Sequence, residues 1–169
     1  DERAYRNELH YIDVLQRNGY PDIAEDVIAE VRKRFPAAVA ALKKKEIDGM
    51  LTLGKFDEVQ KLIDAISDKN GVEFWTLNLS KGSAYFDRKM TDDGRKIFDE
   101  FFKKHAKPSG AMLDLYRRTA YEYYQRLLMA GQKKAALQVL NGLAKQPMEE
   151  DQLRDVTSTL AEVATPAPH

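Results

Sequence analysis

The stretch GMLTLGKF, Gly49 to Phe56, decides the fold. It falls one residue short of a phosphate-binding loop, G-x-x-x-x-G-K-[ST], which would make the chain an α/β nucleotide binder. Such a loop needs a preceding strand, a flexible backbone whose amides converge on phosphate, and a hydroxyl for magnesium. Here Met50, Leu51, Thr52 and Leu53 continue a helical pattern, Phe56 stands at the hydroxyl position, and no alternating apolar run precedes Gly49. The stretch therefore reads as two helices meeting. Gly54 stops the first, Phe56 opens the second, and Lys55 is a turn residue.

The same grammar extends in both directions. RAYRNELHYIDVLQRNG places Tyr5, Leu9 and Ile12 on one helical face, with Tyr11, Val14 and Leu15 alongside, and ends at Gly19. Pro21 then opens PDIAEDVIAEVRKRF, with acids early and Arg32, Lys33 and Arg34 late, as the helix dipole favours. VAALKKKEIDGMLTLG is followed by KFDEVQKLIDAISDKNG, EFWTLNLSKGSAYFDRKM by TDDGRKIFDEFFKKH, and AMLDLYRRTAYEYYQRLLMAG by QKKAALQVLNGLAKQ. No segment alternates in the strand pattern, so an all-α chain of four helical hairpins is expected.

Composition agrees. Apolar residues are 43% and charged residues 32% of the chain, the mixture of amphipathic helices with solvated outer faces. Lysine plus arginine and aspartate plus glutamate are both 27, so no global field draws phosphate backbones or anionic lipid. No apolar run approaches the roughly 18 residues of a membrane span. There are no cysteines, which excludes disulfides, thiolate metal sites and cysteine nucleophiles. His10 and His105 lie far apart without a second ligand at helical spacing, and the pairs Glu25/Asp26 and Asp92/Asp93 fall in first helical turns, where acids belong. No catalytic group, metal or cofactor is expected. The basic runs Arg32 to Arg34 and Lys43 to Lys45 read as a helix C-terminus and a solvated face, on which Lys44 can pair with Asp48.

A landmark exposes a repeat. Each second helix has an early position where it must approach its partner closely: Ala24, Val59, Gly94 and Ala136, at intervals of 35, 35 and 42. The last interval carries seven extra residues around KPSGAML. In this register the chain resembles the tetratricopeptide repeat family over roughly residues 4–148. Gly19, Ala24, Ile28, Val31 and Pro36 match the family pattern in the first repeat. Gly54, Phe56, Ile63 and Ile66 match in the second, where Val59 replaces the usual alanine and Gly71 the proline. Gly82, Tyr85, Gly94, Phe98 and Phe101 match in the third, and Gly131, Ala136, Leu140 and Leu143 in the fourth, where Tyr124 stands in place of a small residue.

The resemblance implies a right-handed α-solenoid of about four hairpins spanning residues 1–163, closed by EEDQLRDVTSTLAEVA as a capping helix, with 164–169 as a linker or tail. It also implies that the first helix of each pair builds an inner, partner-binding surface. Transferred by the repeat register, that surface includes Asp13 and Gln16, Lys44 and Asp48, Ser83 and Phe86, and Arg118, Tyr121 and Gln125, with Tyr121, Phe86 and Arg118 as the main contacts. The lysine and asparagine pattern that clamps a terminal carboxylate in some members is absent. The expected function is a non-enzymatic scaffold that binds a peptide or helix of another protein, with no nucleic acid as partner. Two alternatives stay open. A related family, the pentatricopeptide repeats, reads single-stranded RNA, although its members are expected to be basic; a subunit of an enzyme complex is the other. The aromatic cluster Phe98, Phe101, Phe102, Tyr116, Tyr123 and Tyr124 reads mainly as core.

Overall fold

A computed structural model describes residues 2–164, and every regular element among them is helical. The α-helices are α1 (Arg6–Arg17), α2 (Pro21–Arg34), α3 (Val39–Thr52), α4 (Phe56–Asp64), α5 (Val72–Asp87), α6 (Thr91–Lys104), α7 (Gly110–Met129), α8 (Lys133–Ala144) and α9 (Glu150–Ala164). Residues 165–169, within the segment read as a tail, lie outside the described residues. No described helix is long and apolar enough to cross a membrane.

The stretch that opens the question is settled by α3, which runs through Gly49 to Thr52. Gly49 is buried, Gly54 takes a positive φ of 75°, and Lys55 lies 3.5 Å from Glu25. Its ammonium is turned to a carboxylate on α2.

One turn is built four times. Gly19, Gly54, Lys89 and Gly131 have φ of 82°, 75°, 62° and 75°, and the residue after each donates its N–H to a carbonyl five residues back: Tyr20 to Leu15, Lys55 to Met50, Met90 to Tyr85 and Gln132 to Leu127, at 2.8 to 2.9 Å. These are Schellman stops, which close the last carbonyls of a helix by a left-handed residue. Five residues after each left-handed residue comes the close-contact position. Ala24, Val59 and Ala136 are fully buried there, and Gly94 is buried with them. A Cβ on Gly94 would lie 2.6 Å from Cδ2 of Phe86 and 3.0 Å from the carbonyl of Gly82, so no side chain fits between α5 and α6.

The chain divides into two compact units at Ser67/Asp68, in the loop between α4 and α5. In the first, α1 packs on α2, α2 on α3, α3 on α4, and α1 on α3. Its core gathers Tyr5, Ile12, Leu15, Ile28, Val31 and Leu42; Tyr11 and Val14, which share the apolar pattern of α1, are exposed. In the second, α5 packs on α6 and α7, and α8 on α7 and α9. Its core is aromatic, with Trp75, Phe86, Phe98, Phe101, Tyr116 and Tyr123 buried, and α9 adds Val156. Each such side chain contributes on the order of 2 kcal/mol by leaving water. The seven extra residues around KPSGAML do not form a long loop. They lengthen α7, which at 20 residues exceeds α1, α3 and α5 at 12, 14 and 16.

Candidate functional site

In both units the first helices of adjacent hairpins meet along a polar seam. Between α1 and α3, Lys45 forms an ion pair with Asp13, and Gln16 donates from Nε2 to the Lys45 carbonyl at 2.7 Å. Gln16 can lie this close because its neighbour across the seam is Gly49, where a Cβ would sit 3.2 Å from that amide nitrogen. Between α5 and α7, Ser83 Oγ donates to Glu122 at 2.6 Å, Arg126 binds Glu122 at 3.1 Å and Asp87 at 2.8 Å, and its guanidinium lies 5.9 Å from the Phe86 ring centroid.

The two seams use the same positions. Asp13 and Gln16 stand 70 residues before Ser83 and Phe86, and Lys45 and Gly49 stand 77 before Glu122 and Arg126. Those are also the spacings from Ala24 to Gly94 and from Val59 to Ala136. One packing geometry therefore recurs with different chemistry. Where the first unit sets an amide over a glycine, the second sets an arginine over an aromatic ring.

The expected contact residues separate into three groups. Asp13, Gln16 and Asp48 lie half-buried on α1 and α3, while Lys44 is exposed. The lysine that reaches a carboxylate is Lys45, one residue from the expected Lys44. Burial holds the Asp48 carboxyl above its ordinary value, opposed by Lys44 and Lys45 and reinforced by Asp13. Phe86, expected as an exposed contact, is only 8% exposed; its ring packs edge-on to Phe98 and Tyr123 at 5.8 and 6.1 Å and belongs to the core. Ser83 is half-buried and committed to Glu122.

Arg118, Tyr121 and Gln125 are exposed together on α7. Their spacing of three and four residues puts them on one helical face. Tyr121 is 42% exposed, and Asp155 of α9 is close enough to disfavour its phenolate, after partial burial has done so first. A tyrosine and an arginine on a helix braced from behind by the Glu122–Arg126–Asp87 network form a compact polar and aromatic patch.

Sequence reasoning missed Lys45, Glu122 and Arg126. The spacing of Glu122 and Arg126 was legible as an ordinary pair one turn apart. That they would reach Ser83 and Asp87 on another helix depends on packing distance, which has no local signature. Among the described residues no group of three His, Asp or Glu side chains is placed to hold a metal ion.

Comparison places no relative beside this chain: no family model, curated protein or solved structure matches it.

Proposed function

We propose that this chain is a tetratricopeptide-like α-solenoid that serves as a non-enzymatic protein-binding scaffold and takes a peptide or helix of another protein against α7. The observation that carries the reading is the exposed face of Arg118, Tyr121 and Gln125. Tyrosine and arginine most often dominate binding energy, because each joins large contact area to directional polar groups. The patch is preorganised, since Arg126 ties α7 to α5 through Asp87 and holds Glu122 against Ser83. A partner would lose little free energy in ordering it. The repeated turns and the matching seams of the two units support the repeat reading on which the scaffold rests.

The test uses an Arg118→Ala/Tyr121→Ala double variant. Both positions are exposed, so helical content and melting temperature should stay unchanged. A partner captured by the wild type from the native host should lose at least about 2 kcal/mol of affinity for the variant. Equal affinity of the two proteins for that partner means that binding uses another surface, and the α7 assignment falls.

A further inference from the structure

The second helices of the second unit leave a cleft between them that belongs to no part of the α7 patch. It holds about 860 Å³ between α6 and α8, within the range of ligand-binding clefts. A further recess of about 470 Å³ continues it towards the start of α8. Tyr116, Tyr123 and Leu127 close its base and are themselves buried, while half-buried Phe102, Ala135 and Val139 present its apolar surface. Polar bridges pin the cleft at both ends: Arg95 donates to Gln132 at one, and Gln146 Nε2 donates to the Ala106 carbonyl at 3.1 Å at the other. Its width is thus set before any ligand arrives.

The charge of the walls is the decisive feature. Cleft and recess are lined by Arg95, Lys103, Lys107, Lys133, Lys134 and Lys145, and by one acid, Asp99. That acid is already engaged, accepting the Tyr123 hydroxyl at 2.6 Å and lying 3.9 Å from Arg95. The five lysines are exposed and form no ion pair among the described residues. In a chain whose formal charges cancel, cations have been gathered at one concave place, where low-dielectric walls concentrate their field.

We propose that this cleft binds an acidic, extended peptide segment that sets one apolar side chain against Phe102, Ala135 and Val139 and its carboxylates against the lysine rim. The dimensions suit a peptide. The 12 residues of α8 extend about 18 Å at 1.5 Å each, the length of five or six extended residues. A nucleic-acid strand fits less well, because base stacking needs a free ring face. Here Tyr123 is stacked against Phe98 and Phe102 with centroids 4.7 and 5.9 Å away, and Phe102 meets Tyr116 edge-on at 4.9 Å. The rings are occupied with one another. Gln138, exposed on α8, supplies an amide group for the peptide backbone.

A phage library of random heptapeptides, selected on the full chain, tests this directly. Recovered sequences should be dominated by aspartate and glutamate around one leucine, isoleucine, phenylalanine or tryptophan. A synthetic peptide of the recovered sequence should bind with fluorescence anisotropy that weakens about tenfold or more in a Lys103→Glu/Lys145→Glu variant and at high salt. Binding should persist in the Arg118→Ala/Tyr121→Ala variant, which separates this cleft from the α7 patch. The milder Lys103→Gln/Lys145→Gln variant should weaken binding in the same direction, and circular dichroism verifies that both variants are folded. Selection without acidic preference, or acidic peptides bound equally by the charge-reversed protein, overturns the proposal. So does a single-stranded oligothymidylate that binds more tightly than the peptide and is lost in the same variant.

Discussion

Lys89 sits at φ 62°, where Gly19, Gly54 and Gly131 stand in the other three hairpin turns. A Cβ in the left-handed region crowds the carbonyl that follows, so Lys89→Gly should raise stability by about 1 kcal/mol in urea unfolding, even after the extra freedom glycine gains in the unfolded chain. Five residues on, Gly94→Leu should act in the opposite sense and cost about 1 to 3 kcal/mol, because Phe86 and the Gly82 backbone already fill the space of a Cβ. Asp48 offers a test by pH. Its folded pKa is raised above 3.8 chiefly by burial, so the folded state holds the proton more tightly than the unfolded chain. Stability must then fall as pH rises from the unfolded value through the folded one. Asp48→Asn should accordingly stabilise the protein at pH 7, with the gain vanishing below the ordinary carboxylate range; a gain that is undiminished in acid would assign the effect to something other than charge burial. Gly94 was legible from repeat spacing. Lys89 was not, because nothing about a lysine announces a left-handed backbone.

At the scale of elements, the helices follow from local signals. Apolar residues recur at helical spacing, acids stand in the first turns of α1, α2, α4, α5, α6 and α9, and glycines stop three of the four first helices. The seven-residue excess was legible as an insertion near KPSGAML, but its form was not. Gly110 to Leu115 continue the helical period of α7, and Leu115 is buried, so the excess became helix. Helix α9 likewise follows the reading of its segment. It packs on α8, and Val156, 1% exposed, enters the second unit's core. Val156→Ala should reduce stability by about 1 to 3 kcal/mol, measured by thermal or urea unfolding. Ser158, exposed on the same helix, should tolerate alanine without measurable change.

For the whole molecule, the fold leaves no phosphate-binding loop at Gly49 to Phe56. Titration calorimetry with Mg·ATP should show no saturable heat for the wild type or for Lys55→Ala; heat seen with the wild type and lost in that variant would restore the nucleotide reading. Neutral overall charge coexists with a strongly cationic cleft between α6 and α8. Net charge thus sets the expectation for long-range attraction, while the placement of side chains decides what a single surface attracts.

The sequence by itself determined that the chain is all helix, where its hairpins turn, and which residues stand at the close contacts. These depend on neighbours three or four positions apart and on the backbone freedom of glycine, both of which a linear pattern carries. It also placed Arg118, Tyr121 and Gln125 on a common helical face. Only the tertiary structure decided that Phe86 belongs to the core beneath Arg126, that Lys45 rather than Lys44 reaches a carboxylate, and that six cations gather in one cleft and the recess that continues it. Exposure and partnership depend on how closely one helix lies to another and how far a side chain reaches across the gap, and neither distance is written in the spacing of residues along one helix.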